Sequence, residues 1–278
     1  MAKRELEKHI EVQRSIIKKY RKTIWSNFIG AVQEYELIKP NDKIAVCISG
    51  GKDSVLMACC LRQLQQFSNV PFELVYLVMD PGYNAENRKL IEYNTKLLNL
   101  PVHIFESDIF EVTDRAGGSP CYLCARMRRG CLYSKAKELG CNKIALGHHF
   151  NDVIETVLMS MMYSSEIKTM LPKLHSTNFE GMELIRPLYK VKENDIISWA
   201  NYNGFEFLQC ACKMTEKNAD IELTSKRKEI KQLIADIKLQ NPEADDCIFR
   251  SLHNVNMATM PGWRDRDSGE AHTFLEKY

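Results

Sequence analysis

The fold is decided by residues 43–56, which read Lys-Ile-Ala-Val-Cys-Ile-Ser-Gly-Gly-Lys-Asp-Ser-Val-Leu. Residues 44–48 are apolar and predict a buried β-strand, the two glycines predict a sharp turn, and a helix is expected from near Val55. A helix that follows such a turn directs its unpaired N–H groups towards it, where they attract an anion. The stretch therefore predicts a phosphate site between a strand and a helix.

The phosphate site is specified by the hexapeptide at residues 49–54. A Walker loop requires Ser or Thr directly after Gly-Lys, and Asp53 occupies that position, so the hexapeptide is not a Walker loop. It instead resembles the PP-loop of the N-type ATP pyrophosphatases, which split ATP into AMP and pyrophosphate while adenylating a substrate oxygen. The resemblance implies ATP and Mg2+ as cofactors, with magnesium near Asp53. It also implies that the pyrophosphate is held by Ser49, Gly50, Gly51, Lys52, Asp53 and Ser54.

The composition is that of an ordinary globular chain of 278 residues with a formal net charge of +2. No apolar run approaches the roughly 20 residues of a membrane helix, and the N-terminus is charged from Lys3 onward. We therefore expect a cytoplasmic protein without a signal peptide or a membrane partner. Ten cysteines in an intracellular chain indicate thiols with a chemical role rather than a disulfide framework.

Strand and helix patterns alternate along most of the chain. Strands are predicted near residues 44–48, 72–79, 102–105 and 143–146, helices at 54–67, 84–98, 121–139 and 193–203, and a hairpin at 172–190. This alternation predicts the α/β fold class with a doubly wound parallel sheet. Ligands of such sheets bind at the carboxyl ends of the strands, where Met79 would lie. Met79 is therefore a candidate for contact with adenine or ribose, with core packing as the alternative.

A pair of cysteines opens the predicted helix at residues 121–139. Cys121 and Cys124 are three residues apart, so both sulfurs lie on one side of the helix start. The helix N-terminus and the arginines at 126, 128 and 129 favour the thiolate, which is the form that binds metals or reacts. The spacing alone leaves three interpretations open: half of a zinc site, a redox dithiol, or part of an iron–sulfur site.

A second polar motif, Gly-His-His-Phe-Asn-Asp-Val-Ile-Glu-Thr at residues 147–156, follows the fourth predicted strand. Asp152, Glu155 and Thr156 would lie on one face of the helix that begins there, at the same edge of the sheet as the hexapeptide. Asn151 or Asp152 is expected to cap this helix, and Asn151 is favoured for that role.

Four motifs in this order resemble the tRNA 2-thiocytidine synthetase family over roughly residues 20–260. They are the hexapeptide, Pro-Cys-x-x-Cys-x-x-x-Arg-Arg-Gly at 120–130, Gly-His-His-x-x-Asp-x-x-Glu-Thr at 147–156 and Met-Leu-Pro-Lys at 170–173. The resemblance implies an enzyme with an adenine-nucleotide alpha hydrolase-like fold that uses ATP to adenylate the 2-oxygen of an anticodon-loop cytidine (position 32). Sulfur then replaces that oxygen through a [4Fe-4S] cluster held by three cysteines.

The resemblance also implies roles for individual residues. Cys121 and Cys124 match the first two cluster ligands, and Cys210 is the best match for the third. Cys212 stays open as an alternative, because this chain has Cys-x-Cys where many members of the family have Cys-x-x-Cys. The remaining assignments are catalytic roles for Asp152, Lys52 and Arg128, and nucleotide contacts for Gly147 and His148 beside the hexapeptide and Met79.

The partners implied are tRNA and a sulfur donor such as a cysteine desulfurase or sulfide, and a homodimer is a candidate assembly. Basic helices are predicted near both ends of the chain, in residues 1–22 and 225–239, where they would contact RNA phosphates. The domains expected are a helical arm (1–40), a PP-loop domain with the iron–sulfur site (41–215) and a helical extension with a polar tail (216–278). Two alternatives stay open: another PP-loop tRNA ligase of the lysidine type, and a zinc-binding nucleotide or RNA module without turnover.

Overall fold

The computed structural model describes residues 7–107, 109, 120–208, 226–265 and 268–277. The chain forms two compact units, Met1–Ile230 and Lys231–Tyr278. None of the helices in these ranges combines the length and the apolar character that a membrane span requires.

The sheet of the first unit has six strands in the described ranges. They are β1 (Lys43–Ile48), β2 (Glu73–Asp80), β3 (Val102–Glu106), β4 (Lys143–Ala145), β5 (Lys173–His175) and β6 (Glu183–Ile185). Their order is β3-β2-β1-β4-β6-β5, and all pairs are parallel except β5 with β6. The predicted parallel α/β sheet is confirmed. The predicted hairpin at 172–190 is β5 and β6, which join the sheet beside β4.

Helices follow most of the strands. Those that lie within the first unit are α1 (Lys8–Ile17), α2 (Ser26–Glu34), α3 (Lys52–Phe67), α4 (Ala85–Leu97), α5 (Pro120–Glu138), α6 (Phe150–Ser164) and α7 (Glu193–Tyr202). A π-helical turn, Arg21–Trp25, joins α1 to α2. A further helix, α8 (Lys226–Gln240), begins at the end of the first unit.

The side chains of β1 alternate between two cores. Ile44, Val46 and Ile48 pack in one core with residues of α1 to α4 and α7. Ala45 and Cys47 pack in a second core with residues of α5. Because successive side chains of a strand point to opposite faces of the sheet, the two cores lie on opposite faces. The sheet is therefore covered on both sides, as the prediction of a doubly wound fold requires.

The order of the strands creates a crevice at the carboxyl end of the sheet. β1 lies between β2 and β4, so the chain leaves β1 to build the sheet first on one side and then on the other. Ligands of α/β proteins bind at such a switch point. The hexapeptide follows β1 and Gly147 follows β4, so the fold directs both predicted motifs to this crevice.

The opposite end of the sheet is held by a buried lysine. Lys143 begins β4 and is 2% exposed. Its Nζ lies 2.8 Å from Asp42 Oδ2 and 3.0 Å from Glu183 Oε2, and it donates to Leu37 O at 3.0 Å. Asp42 precedes β1 and Glu183 begins β6, so this ion-pair network ties three strands together at the end away from the crevice.

The second unit, described by itself, contains α9 (Ala244–Ser251) and a hairpin of β7 (Gly262–Arg264) and β8 (Ala271–Thr273). Trp263 stacks on His272 across this hairpin, with ring centroids 5.3 Å apart. Sequence analysis predicts a helical extension followed by a polar tail in this region, and therefore no hairpin. Strands of three residues are too short to show a hydrophobic alternation, which explains why the hairpin was not predicted.

Candidate active site

The turn after β1 forms the amino-terminal end of α3. Gly51 is extended, with φ −83° and ψ 159°, and caps a helix that begins at Lys52. The predicted start near Val55 is therefore too late in the chain, because Lys52, Asp53 and Ser54 form the first helical turn. The first N–H groups of a helix have no partner within it, so this turn offers several donors to a phosphate group.

Position 50 requires glycine because of its backbone conformation and its close neighbours. Its φ of +84° lies in the left-handed region that favours glycine. A Cβ at this position would lie 2.7 Å from Ile91 Cγ1 and 2.8 Å from Leu208 Cδ1. The N–H of Leu208 also donates to Gly50 O at 3.3 Å. The hexapeptide is therefore in direct contact with the chain that leads to Cys210.

The hydroxyl of Ser54 forms its hydrogen bonds within the hexapeptide. It accepts a hydrogen bond from Ser49 N–H at 3.1 Å, lies 3.2 Å from Ser49 Oγ and donates to Gly51 O at 2.9 Å. Ser54 is also buried. It therefore maintains the shape of the turn, and its contact with phosphate stays a prediction.

A cavity of about 580 Å³ opens at this edge of the sheet. Eight of the predicted site residues line it: Ser49, Asp53, Ser54, Met79, Arg128, Gly147, His148 and Asp152. Gly50, Gly51 and Lys52 are outside this lining. The Nζ of Lys52 lies 3.2 Å from Glu193 Oε1 and 3.3 Å from Asp53 Oδ1, so the ammonium group is held between two carboxylates beside the cavity.

Asp152 caps α6 at the wall of the cavity. Its Oδ2 accepts a hydrogen bond from His149 N–H at 3.0 Å. The preference for Asn151 as the cap is wrong, because Asn151 Oδ1 accepts from Glu193 N–H at 2.9 Å and so satisfies the first residue of α7. Both side chains have the chemistry of a cap, and the position of α7 decides between them.

His149 links the two carboxylates of the site. Its Nε2 lies 3.8 Å from Asp53 Oδ1 and its Nδ1 lies 3.5 Å from Asp152 Oδ2. Arg227 approaches Asp152 from α8, with Nη1 3.4 Å from Asp152 Oδ1 and Nε 3.4 Å from Glu155 Oε2. The carboxylate of Asp152 is therefore contacted by an imidazole on one side and by a guanidinium on the other.

The surroundings of Asp152 and His148 determine the protonation states of these two side chains. Burial alone would raise the pKa of Asp152, but the charge of His149, the hydrogen bond from its N–H and the charge of Arg227 lower it below its usual value. The pKa of His148 falls to about 4, because burial and the nearby Arg186 charge both disfavour its protonated form. At neutral pH an ionised carboxylate and a neutral imidazole thus line the cavity.

Gly147 packs directly on the first turn of α3. A Cβ at this position would lie 3.0 Å from Ser54 N and 3.1 Å from Asp53 C and Ser54 Cα. These are backbone atoms, which cannot rotate away from the contact. The structure therefore gives Gly147 a role in the close approach of β4 to the hexapeptide, and its contact with the nucleotide stays a prediction.

Helix α5 contributes residues to the same cavity. Its residues in the lining are Arg128, Arg129 and Leu132. Positions 121 and 124 lie in the first turns of α5, seven and four residues before position 128, a spacing that stays on one helical face. The side chains of Cys121 and Cys124, and the whole of Cys210 and Cys212, lie outside the described part of the chain.

Four other cysteines belong to the cores: Cys47, Cys59, Cys60 and Cys141. Burial raises the pKa of Cys47 and Cys59 to about 12 and also raises the pKa of Cys60 and Cys141. These thiols stay protonated at neutral pH and so are poor metal ligands. Among the described residues there is no group of three or more His, Cys, Asp or Glu side chains arranged around a metal.

Sequence analysis missed three residues of the site. Arg186 lines the cavity from the end of β6, Tyr83 lines it and donates to Ser49 O at 3.3 Å, and Arg227 pairs with Asp152. Arg186 stands between apolar residues at 184–188, and a charged residue in a buried apolar segment is a signal that could have identified it. Tyr83 and Arg227 have no local signal, because the tertiary fold brings them to the cavity.

The fold and the site together define a PP-loop protein, with a phosphate-binding turn of non-Walker sequence at the switch point of a parallel sheet. The profile of the PP-loop domain family matches residues 15–234. A tRNA-cytidine(32) 2-sulfurtransferase of Geobacter metallireducens is 37% identical over 242 residues, which cover 86% of this chain and 91% of that relative. A relative of the same name from Neisseria meningitidis is 38% identical over 231 residues, covering 81% of this chain and 69% of the relative. The chain belongs to the tRNA-cytidine(32) 2-sulfurtransferase family, which confirms the resemblance carried by its motifs.

A solved structure has the same fold. The U34-tRNA thiolase NcsA from Methanococcus maripaludis, described with its [4Fe-4S] cluster, matches with a TM-score of 0.63 and 21% identity. The match covers 89% of this chain and 78% of that chain. At this identity the likeness concerns the fold alone. The relatives favour neither the lysidine-type ligase nor the zinc-binding module.

Proposed function

We propose that this protein uses ATP to replace the 2-oxygen of cytidine 32 in the tRNA anticodon loop with sulfur. One observation carries the proposal. A single cavity is lined both by the hexapeptide, through Ser49, Asp53 and Ser54, and by α5, through Arg128 and Arg129. A site for the triphosphate and the helix that carries the cysteine pair therefore share one opening, as a reaction that activates and then thiolates one base requires.

The hexapeptide would bind the pyrophosphate that leaves ATP. The 2-oxygen of cytidine attacks the α-phosphorus, the bond to the β-phosphate breaks, and the negative charge on the leaving pyrophosphate is stabilised by the N–H groups at the start of α3. Lys52 contributes when it exchanges Glu193 for a phosphate oxygen. Arg128 adds a positive charge at the wall of the cavity.

The residues present fit a magnesium ion. Magnesium in nucleotide sites is bound by one or two carboxylates together with phosphate oxygens. Asp53 lines the cavity in the first turn of α3, beside the turn that would hold the pyrophosphate. Its carboxylate would hold the ion, which would supply further charge neutralisation to the phosphates.

Asp152 would act on the cytosine. Its lowered pKa keeps it ionised at neutral pH, so it can accept a hydrogen bond from the exocyclic amine of the base or accept a proton as the base is activated. The capping hydrogen bond from His149 N–H holds the carboxylate at one position on the wall of the cavity. Its proposed role is therefore that of a base or an orienting group.

The cysteines that match the family's ligands are available to hold an iron–sulfur cluster. Burial excludes four of the ten thiols, and among the other six we propose Cys121 and Cys124 on α5 with Cys210 as ligands, because they match the family motif, with Cys212 as the alternative to Cys210. Held by these cysteines, such a cluster would bind the incoming sulfur and present it to the activated base. In the second step the C2–S bond forms, the C2–O bond breaks and AMP leaves with the oxygen. Sulfur at the oxidation level of sulfide needs no added oxidant or reductant for this exchange.

We propose a cytoplasmic enzyme with tRNA as its substrate and with sulfide, free or delivered by a cysteine desulfurase, as its sulfur donor. A homodimer stays a prediction.

Nucleoside mass spectrometry of tRNA from a strain that lacks the gene tests the function. We expect 2-thiocytidine to disappear and to return with the wild-type chain. Cys121→Ala should not restore it and should lose iron and labile sulfide in anaerobically purified protein, whereas Cys141→Ala, a change in the core, should keep both. Persistence of 2-thiocytidine in the deletion strain would refute the proposed function, and full iron content in Cys121→Ala would refute the proposed ligand.

A further inference from the structure

Arg186 is a buried cation at the wall of the cavity that the proposed mechanism does not use. It directly follows β6, which lies beside β4, so it emerges at the carboxyl edge of the sheet where ligands bind. The residue is only 6% exposed and yet lines the cavity. Its position therefore depends on the addition of β6 to the sheet.

The charge of Arg186 has no counter-ion among the described residues. Its Nη1 donates to the carbonyl oxygen of Leu171, and its buried Nε has no hydrogen-bond partner. None of the salt bridges within 4.0 Å among the described residues involves the guanidinium, although the carboxylate of Asp152 lines the same cavity. Burial lowers the pKa of Arg186 to about 10, the charge of Arg129 adds to this shift, and Tyr189 and Asp152 oppose it, so the group is still charged at neutral pH.

A buried charge of this kind is costly. Removing an ion from water costs several kcal/mol, and buried arginines are normally paired with an anion. Arg186 has a carbonyl oxygen and an open cavity instead. The missing negative charge can therefore arrive with a ligand.

His148 provides a second donor or acceptor in the same cavity. Its Nδ1 is buried and has no hydrogen-bond partner in the described structure. His148 lines the cavity together with Arg186, and the charge of Arg186 acts on its imidazole ring. Two polar side chains with unsatisfied atoms, one after β4 and one after β6, thus line the same cavity.

We propose that Arg186, together with His148, binds one phosphate group at a subsite distinct from the hexapeptide. The guanidinium suits this ligand, because its planar N–H groups bind two oxygens of a phosphate at once. The proposal rests on the proposed function, which supplies two sources of phosphate. One is the α-phosphate that stays on the activated cytidine, and the other is a phosphodiester of the tRNA backbone next to it.

The experiment must distinguish phosphate binding by Arg186 from a purely structural role of the same residue. Arg186 also holds the segment at 170–172, through Leu171 O, and Tyr189 holds the same segment through Met170 O at 3.0 Å. Arg62 is a matched control, since its Nη1 donates to Leu98 O and Asn99 O at 2.8 and 2.9 Å and it is not part of the cavity.

The first measurement compares the melting temperatures of Arg186→Met and Arg62→Met, both made in the full chain. Without ligand, Arg186→Met should melt at the temperature of the wild type or above it, because an unpaired buried charge is removed. Arg62→Met should melt lower and bind ligands normally. Arg186→Gln, which keeps a donor for Leu171, serves if the Met variant does not fold.

Two binding measurements then identify the source of the phosphate. If the ligand is the nucleotide phosphate, Arg186→Met should bind a non-hydrolysable ATP analogue at least tenfold more weakly by calorimetry. If the ligand is an RNA phosphate, the slope of log affinity for tRNA against log salt should fall by about 0.7 to 0.9, the value for one phosphate. Wild-type values in both measurements would overturn the subsite. A wild-type protein that binds neither ligand would instead refute the proposed function.

Discussion

Gly147→Ala tests whether the contact between β4 and the hexapeptide sets the geometry of the phosphate site. The new Cβ would stand 3.0 Å from Ser54 N and 3.1 Å from Asp53 C, where about 3.5 Å is the closest favourable separation. The first turn of α3 must then move by about 0.4 Å, at a cost of about 1 to 3 kcal/mol for an overpacked contact. The φ of Gly147 is not in the left-handed region, so the expected effect comes from space alone.

The displacement should be visible in nucleotide binding. Misplacement by about 1 Å can reduce activity about 100-fold, so a shift of about 0.4 Å should weaken the affinity for an ATP analogue by roughly tenfold. Calorimetry gives the affinity, and urea unfolding gives the free energy of unfolding. Gly30→Ala in α2 is the control, because its Cβ meets nothing within 4 Å and should add up to about 1 kcal/mol of helix propensity. Equal ATP affinity in the two variants, both folded by circular dichroism, would refute the reasoning.

Three further predictions follow from the described contacts. Lys143→Met should lower the free energy of unfolding by about 3 to 5 kcal/mol at pH 7.5 in urea titrations, because the buried carboxylate of Asp42 and the partly buried carboxylate of Glu183 lose their cation. Burial alone would raise the pKa of these two carboxyls, but their hydrogen bonds to Lys143 lower it below the usual value. Their contribution to stability is therefore present above a pH of about 4.5 and is lost as the pH falls further. The difference in the free energy of unfolding between variant and wild type should shrink at pH 4. Ser54→Ala should cost about 1 to 3 kcal/mol in the same titration, because the turn loses hydrogen bonds to a buried hydroxyl, and an unchanged free energy would show that the turn keeps its shape without them. Asp152→Asn, which keeps an acceptor for the cap, should unfold within about 1 kcal/mol of the wild type but lose at least 100-fold in thiolation measured by nucleoside mass spectrometry, and thiolation at the wild-type rate would remove Asp152 from the mechanism.

The centre of the site could be predicted because each of its parts obeys a local rule. Apolar residues at 44–48 require a buried strand, and two glycines before a helix form an anion site in whatever sheet they occur. The convergence of residues 49–54 and 147–152 also follows from sequence, because the carboxyl ends of parallel strands meet at one edge. The error at the start of α3 has a local cause. Gly51 caps the helix without a polar side chain, so no residue type marks the boundary at Lys52.

The rest of the site depends on contacts between distant segments. Arg186 reaches the cavity only because β6 pairs with β4, and three residues of strand are too few to predict that pairing. Asn151 bonds to Glu193, forty-two residues later, so its local preference for a cap position is satisfied in another helix. Such pairings are decided by tertiary packing, which no pattern within a window of the sequence contains.

The contact between Leu208 and Gly50 connects the nucleotide site to the segment that precedes Cys210. The turn that would hold pyrophosphate is bonded to the chain two residues before Cys210. If Cys210 is the third iron ligand, a nucleotide that rigidifies Gly50 changes the affinity of the protein for its inorganic cofactor. Reciprocity then requires the cofactor to change the nucleotide affinity by the same factor. Either component could enter first, and the order would be set by their concentrations in the cell.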